Sequence, residues 1–366
     1  MWEKVVIFTI LFLAQNFHAC LAFGHQPTPR ALLRLQKIGN SPPSAEQSLP
    51  SNVPEVDRYE ADVVIVGGGL AGLALFIGLA THLPSCKVVL IEKRSHYERA
   101  GATLGFAANG AKALNELVDD GEFVQTKIFS HGRDMMADED IPVHVLPWWI
   151  VRDALLDRAK ELVTSRRTNS DSKVGSERLQ LWNGLELDEL VEHEDWVDLG
   201  FSNCPIRVRS KLVVAADGVR SKVRSLVGLP AAEETGVRIW RGNIQVQDLK
   251  GKDEAAYRAL ECLLHQGYAP FMVRDSKDGL SYVVVFNHHE SIPGLLLWQM
   301  GTPLQDDSAI SKFFTDDGQN EILEALLLHT PNILYTKLCT INMDDIFEKT
   351  DHDFCQGWDE TCHTDW

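Results

Sequence analysis

The feature that most constrains the fold is the stretch ADVVIVGGGLAG, residues 61–72, in which apolar residues run directly into glycines. Residues 63–66 are all apolar and β-branched, as in a strand buried on both faces of a parallel sheet. Gly67, Gly69 and Gly72 then follow with G-x-G-x-x-G spacing before an apolar helical run. In such a turn the first glycine permits the bend, the second admits a pyrophosphate, and the third lets helix pack on strand. The stretch therefore predicts a dinucleotide-binding strand, turn and helix.

A second strand, KVVLIEKR, supports this prediction because it carries Glu92 near its end. An acidic residue about twenty positions beyond the last glycine is placed to hydrogen-bond an adenosine ribose. Glycine-rich turns also arise for packing reasons, and Glu92 alone has a simpler interpretation as a solvated strand end. The two features together favour the dinucleotide.

Two later segments extend the predicted site. Arg152 lies early in the helical sequence WWIVRDALLDRAKEL, where it is a candidate for a phosphate or flavin contact. The buried strand KLVVAADGVRSKVRSLVG ends in Ala216, Asp217 and Gly218, which can contact a second part of an extended cofactor. Taken alone, Asp217 is better interpreted as a turn or helix-capping residue. Between these segments, residues 179–208 read as an antiparallel meander of short strands.

The ordered set GGGLAG, Glu92, GATLG, the Arg-x-x-Leu of Arg152, and AADGVRSKVR resembles the FAD-dependent aromatic hydroxylase-type monooxygenases, over residues 62–242. This family includes salicylate and para-hydroxybenzoate hydroxylases, ubiquinone-pathway hydroxylases and zeaxanthin epoxidase. The resemblance implies an α/β fold with a Rossmann-like, glutathione-reductase-like FAD-binding domain and an inserted antiparallel β-sheet substrate domain.

The resemblance also implies which residues hold the cofactor. These are Gly67, Gly69, Gly72, Glu92, Gly105, Arg152, Asp217 and Gly218. Glu92 would bind the FAD ribose, Gly105 would lie in a loop near the cofactor, and Asp217 with Gly218 would serve FAD and the passing NAD(P)H. Arg241 is either a substrate contact or a plain strand-surface charge. No catalytic side chain is assigned, because the flavin supplies the chemistry in such enzymes.

The implied reaction is a monooxygenation in which NADPH or NADH reduces FAD. A flavin hydroperoxide formed with dioxygen then hydroxylates or epoxidises a small aromatic, quinone or isoprenoid substrate. Two alternatives stay open: a flavin-dependent reductase of the same fold, and a truncated, non-catalytic remnant. The remnant is considered because the family closes its FAD site with a Gly-Asp element, whereas this sequence contains no Gly-Asp dipeptide. An NAD dehydrogenase is disfavoured by AADG and by the meander.

Composition excludes several classes of protein. The length of 366 residues and 45% hydrophobic content favour two domains, and the net charge of −17 argues against a nucleic-acid surface. Seven scattered cysteines indicate reduced thiols rather than a disulfide framework. The group His352, Cys355, Cys362 and His363 matches no common zinc spacing, so no metal is predicted.

The N-terminal residues predict a targeting sequence. Residues 1–22 have the layout of a signal peptide, and residues 23–57 form a basic leader like a transit peptide. Together they favour a plastid, with secretion or the endomembrane lumen as the alternative. The apolar run spans about ten residues against the ~20 of a membrane helix, so no stable span is expected after presequence removal.

Three further regions complete the predicted domain organisation. Residues 58–228 form the FAD-binding domain and residues 229–330 form a β-rich substrate domain. Residues 331–366 form an irregular acidic tail that lacks the Gly-Asp element.

Overall fold

The computed structural model describes residues 5–7, 53–54, 56–97, 99, 103–118, 120–138, 141–168, 178–264, 271–276, 279–287, 292–303 and 319–341. The helices are α1 (Leu70–His82), α2 (Ala108–Val118), α3 (Trp148–Thr168), α4 (Lys222–Leu226), α5 (Glu254–Leu264) and α6 (Gln319–His329). Short helical turns cover Gly121–Phe123, Val124–Ile128, Phe129–His131 and Val246–Leu249. The strands are β1 (Val5–Ile7), β2 (Arg58–Val66), β3 (Val88–Glu92), β4 (Thr103–Phe106), β5 (Arg133–Asp138), β6 (Ile141–Pro147), β7 (Leu179–Asn183), β8 (Leu187–Glu192), β9 (Val197–Phe201), β10 (Cys204–Ala215), β11 (Glu233–Gln245), β12 (Phe271–Ser276), β13 (Gly279–Asn287), β14 (Leu295–Pro303) and β15 (Ile333–Thr340).

The first sheet has the order β7-β3-β2-β10-β9-β8, and β1 lies beside the end of β10. Strands β7, β3, β2 and β10 are parallel, while β9 and β8 continue as an antiparallel meander. Val66, the last residue of β2, is in register with Ile91 on one side and Ala215 on the other. The carboxyl ends of three neighbouring strands therefore meet at one edge of the sheet.

Burial of both sheet faces explains why β2 is apolar at successive positions. Ile65 packs in a cluster with residues of α1 and α3, such as Phe76 and Leu155. Val64 points to the opposite face, where it joins a second cluster with Trp182. A strand covered on both faces cannot show the alternation of a half-exposed strand.

The second sheet is antiparallel throughout, with the order β12-β13-β14-β11-β15. Helices α5 and α6 cover one of its faces, where Trp240 and Trp298 are buried among residues such as Leu260 and Leu326. Strands β4, β6 and β5 form a third, small sheet. The predicted α/β fold class, with a parallel-containing sheet and antiparallel sheets, is confirmed.

Two segments differ from the prediction. Residues 179–183, expected to begin the meander, instead form β7, which pairs parallel with β3. Four of these five residues are buried, which suits a strand of the parallel sheet. Residues 333–340, expected in the irregular tail, form β15 at the edge of the second sheet, where pairing with β11 satisfies the backbone groups that face β11.

Several sequence-based predictions concern residues that the structure does not describe. Residues 342–366, and with them the rejected metal group, lie outside the described part of the chain. The same holds for the signal and transit segments apart from β1 and residues 53–54 and 56–57. Within the described residues, no helix combines the length and apolar character needed to span a bilayer.

Replacing Gly242 by alanine should destabilise the second sheet. A Cβ there would lie 2.8 Å from the Trp298 ring and 2.5 Å from the Thr330 methyl group, inside a region where the Trp298 indole donates a 2.8 Å hydrogen bond to the Thr330 hydroxyl. Overpacking of this kind costs about 1–3 kcal/mol, to be measured by denaturant unfolding. The control is Gly121→Ala, because a Cβ at Gly121 meets nothing within 4 Å; equal unfolding midpoints for both variants would contradict the expectation.

Candidate functional site

The glycine turn joins β2 to α1, and two of its glycines are required by packing. Gly67 has a φ of 114°, and a Cβ on it would overlap the carbonyl group of Ala216. A Cβ on Gly72 would overlap the Gly67 carbonyl oxygen. Both positions therefore exclude any side chain before a ligand is considered.

Gly69 is different, because a Cβ built on it would meet nothing within 4 Å. It is the N-cap of α1, with ordinary extended backbone angles, and no side chain caps the helix. The N-terminus of α1 thus has no side-chain cap, and the space beside its N-cap residue is open. Such a helix N-terminus is suited to bind an anionic group.

Glu92 is fixed against the glycine turn and is only 5% exposed. Its Oε2 accepts a 2.7 Å hydrogen bond from the backbone N–H of Gly68, and its Oε1 accepts a 2.8 Å bond from the N–H of Arg94. The interpretation of Glu92 as a solvated strand end is therefore wrong. The buried carboxylate lies beside the turn, as a ribose-binding acid requires.

Arg152, in the first turns of α3, is only 6% exposed. Its guanidinium lies 3.6 Å from the centre of the Tyr97 ring and 3.6 Å from the Asp153 carboxylate. Its Nε is buried without a hydrogen-bond partner. The arginine is thus positioned by an aromatic ring while keeping an unused donor.

Asp217 lies two residues beyond the end of β10, and both interpretations of this residue have support. Its Oδ2 accepts hydrogen bonds from the N–H groups of Lys222 and Val223 at 2.7 and 3.1 Å, which supports the start of α4 beside the N-cap residue Ser221. Its Oδ1 is buried and has no partner. Gly218 adopts a φ of 83°, which favours glycine and lets the chain turn away behind Asp217.

The structure brings these groups to one edge of the first sheet. Glu92 accepts a hydrogen bond from Gly68, Gly67 abuts Ala216, and the ring of Tyr97, five residues after Glu92 in the chain, lies over the Arg152 guanidinium. An uncapped helix terminus, a buried acid, and two buried polar atoms without partners fit an extended, polar, anionic ligand. A dinucleotide such as FAD has this chemistry. Across the described residues, no group of three or more metal-ligating side chains occurs.

Two predicted residues lie on other sheets. Gly105 belongs to β4, where it pairs with Val145, and not to a loop as predicted, because the segment gains backbone partners in the small sheet. Arg241 belongs to β11, and its Nε donates a 2.9 Å hydrogen bond to Oε1 of Gln299. Asn243, two residues along the same strand face, donates to the Arg99 carbonyl at 2.6 Å. The face of this sheet that carries Arg241 therefore lies toward the first domain, residues 58–228. A plain surface charge would not need that position.

Tyr97 was not identified from the sequence. It lies in the stretch KRSHYERAG, which has neither strand nor helix periodicity. The sequence could have pointed to Tyr97 only through its position, because it is an aromatic residue in the loop after the carboxyl end of β3, where ligand contacts concentrate.

A cavity of about 450 Å³ runs along the outer side of α3. Arg99, Trp149, Asp153 and Asp157 are among its lining residues, but none of the predicted cofactor residues lines it. The glycine turn and this cavity are therefore separate features.

Comparisons with known proteins agree with the geometry. Monooxygenase 1 of Arabidopsis thaliana is 36% identical over 80 residues, which are 22% of this chain and 20% of that protein. Tetracenomycin A2 monooxygenase-dioxygenase of Streptomyces glaucescens is 25% identical over 201 residues, covering 46% of this chain and 35% of that protein. No family model matches the sequence.

Solved structures share the fold at low sequence identity. The structure of CtdE in complex with FAD superposes with a TM-score of 0.58 at 17% identity, over 78% of this chain and 73% of that one. The p-nitrophenol 4-monooxygenase PnpA of Pseudomonas putida gives a TM-score of 0.51 at 17% identity, over 78% and 69%. The chain resembles FAD-dependent monooxygenases. The resemblance predicted from the motifs is thereby confirmed.

Replacing Gly69 by valine should remove the capacity to retain FAD. The new side chain would occupy the open space in front of the helix terminus, while the absence of neighbours within 4 Å leaves folding intact. Flavin absorbance after reconstitution and gel filtration measures the first effect, and the thermal midpoint measures the second. Gly67→Val is the comparison, since it should unfold the protein through its overlap with Ala216. Unchanged flavin retention in Gly69→Val would refute the assignment.

Proposed function

We propose that this protein is an FAD-dependent monooxygenase that uses NADPH or NADH and dioxygen to hydroxylate or epoxidise a small aromatic, quinone or isoprenoid compound. The observation that carries the proposal is the assembly of the glycine turn, Glu92, Arg152 and Asp217 at one end of the parallel sheet. The similar proteins with monooxygenase names, and the FAD complex with the same fold, support it. The chain spans about a fifth to a third of the length of these curated relatives, so the activity is part of the proposal.

Each cofactor residue has a stated role in this proposal. The open space at Gly69 lets a phosphate approach the N-terminus of α1, whose N–H groups and dipole stabilise negative charge. Glu92 accepts hydrogen bonds from a ribose diol, and Arg152 supplies a fixed positive charge. Asp217 offers its unpaired Oδ1 as a further acceptor. When bound, the flavin supplies the redox chemistry with dioxygen.

In this proposal the second sheet forms the substrate-binding side of the site. Trp149 of α3 packs with Leu295 and Leu297 of β14, which attaches this sheet to the first domain through an apolar contact. Arg241 and Gln299 lie on the face turned toward that domain, as a hydrogen-bonded pair. Such a pair can hold a polar group of a substrate, while the apolar contact keeps water out.

The decisive experiment is substrate-dependent oxygen consumption by the FAD-reconstituted protein. Aromatic, quinone and isoprenoid compounds are tested with NADPH and with NADH, and a monooxygenase consumes one dioxygen for each product formed. A reductase of the same fold would oxidise NAD(P)H and saturate its substrate without consuming oxygen. A non-catalytic remnant would remain colourless and would show no tryptophan quenching with FAD.

Replacing Glu92 by glutamine should weaken FAD binding about tenfold or more, because charged acceptors make hydrogen bonds of about 1.5–3 kcal/mol. Fluorescence titration of the apoprotein measures the dissociation constant. The matched control is Asp62→Asn, because Asp62 also accepts a backbone hydrogen bond, from Lys87 at 2.9 Å, but lies in the middle of β2, four residues before the glycine turn begins after Val66. Equal affinities for both variants would remove Glu92 from the site.

We further propose that the protein enters a plastid, on the basis of the signal-like residues 1–22 and the acid-free, basic run within residues 23–57. A fluorescent protein fused behind residue 57 should accumulate in plastids of an alga with complex plastids. Deleting residues 23–57 alone should divert the fusion to the secretory route. Secretion of the intact fusion would instead support the endomembrane alternative.

A further inference from the structure

Tyr97 lies in the loop after β3 and packs against the start of α3. The central carbon of the Arg152 guanidinium lies over the face of its ring, 3.6 Å from the ring centre. The Trp148 ring, one helical turn before Arg152, packs edge-on against Tyr97 at 6.0 Å. The tyrosine side chain is half-buried. One aromatic residue of the loop therefore packs on two residues along the same face of α3.

The acidic neighbour of Arg152 holds its guanidinium less firmly than this ring does. Nη1 of Arg152 lies 3.6 Å from Oδ1 of Asp153, which is too long for a hydrogen bond. The other oxygen of Asp153 accepts a 3.0 Å hydrogen bond from Nη2 of Arg99. The Asp153 side chain is also 35% exposed, so water screens its charge. The position of the Arg152 guanidinium therefore depends chiefly on the Tyr97 ring.

A contact through the ring face does not use the hydrogen-bond donors of the arginine. The N–H groups of a guanidinium all lie in its plane. With its central carbon 3.6 Å from the ring centre, the guanidinium lies flat against the ring, because an N–H pointing at the ring would hold the carbon farther away. In agreement with this, the buried Nε has no hydrogen-bond partner. Tyr97 therefore fixes Arg152 while a donor remains for the acceptor oxygens of a dinucleotide.

We propose that Tyr97 is a positioning residue of the cofactor site, which raises the affinity for FAD by holding the Arg152 guanidinium against its ring before the cofactor binds. An unrestrained arginine loses rotamer freedom when it binds a ligand, whereas Arg152 has already lost it in the folded chain. The ring is the part of Tyr97 that acts, because a contact through the face needs no hydroxyl group. This inference rests on the proposed FAD site.

The first test removes the aromatic face. Tyr97→Leu keeps an apolar side chain without a ring, so FAD should bind about 3–30-fold more weakly, tenfold corresponding to about 1.4 kcal/mol. Tyr97→Phe keeps the ring and should restore the dissociation constant to within about twofold of that of the unaltered protein. Isothermal titration calorimetry of the apoproteins with FAD gives these constants.

Trp196→Leu is the matched control. Trp196 is also half-buried and has a guanidinium over its ring, that of Arg209 at 4.2 Å, but it precedes β9 in the meander. Its removal deletes the same kind of contact away from the glycine turn. The affinity of this variant for FAD should equal that of the unaltered protein.

A double-mutant cycle tests whether Tyr97 acts through Arg152. Arg152→Ala alone should weaken FAD binding, and adding Tyr97→Leu to it should change the dissociation constant by no more than about twofold. A ring that only stabilised the fold, or that contacted FAD itself, would instead cost the same factor with and without Arg152. Thermal midpoints of the four proteins show separately what each change does to folding.

The outcomes separate this proposal from the proposed function. If the unaltered protein binds FAD, the positioning role is overturned by unchanged binding in Tyr97→Leu, by an equal loss in Tyr97→Phe, or by equal losses with and without Arg152; the FAD site then still stands. A loss in Tyr97→Leu that phenylalanine restores and that vanishes in the Arg152→Ala background supports both proposals. Absence of FAD binding by the unaltered protein overturns the proposed function, and the positioning role with it.

Discussion

The parallel pairing of β2 with β10 is the constraint on which the rest of the site depends. The register sets Val66 beside Ala215, and the Ala216 N–H continues the ladder by donating to the Val66 carbonyl at 2.8 Å. The chain that leaves β2 must then pass so close to Ala216 that only glycine fits at position 67. On the other side of β2, the parallel pairing with β3 carries Glu92 to the turn. The two pairings of β2 therefore place the turn, the acid and Asp217 together.

Burial of charge is the cost of this arrangement, and the structure offsets most of it locally. A buried carboxylate requires hydrogen-bond donors, and a buried guanidinium requires acceptors or an aromatic face. Glu92 receives two backbone N–H groups, and Arg152 receives the Tyr97 ring. Within the described chain, the Nε of Arg152 and the Oδ1 of Asp217 still have no partner. Buried polar atoms in this state are costly, and a bound polar ligand is the simplest way to satisfy them.

The second sheet is attached to the first domain by few but specific contacts. Trp149, Leu295 and Leu297 form an apolar cluster that buries part of the contact between the two. The hydrogen bond from Asn243 to the Arg99 carbonyl adds a directional polar contact. Residues of β11 alternate between the helices on one side and the first domain on the other, so Trp240 and Arg241 have opposite surroundings. A change in the core of this sheet is therefore expected to affect stability first and the site second.

By itself, the sequence determined the local parts of this protein. The glycine turn, the buried strand before it, Glu92 at its spacing, and Asp217 after a strand all follow from short-range steric and hydrogen-bonding rules that act within a few residues. Tertiary structure alone decided that residues 179–183 join the parallel sheet, that residues 333–340 add a strand to the second sheet, and that the Tyr97 ring lies over Arg152. These outcomes depend on partners up to about a hundred residues away, and a strand's partner or a loop side chain's neighbour leaves no periodic mark in the residues themselves.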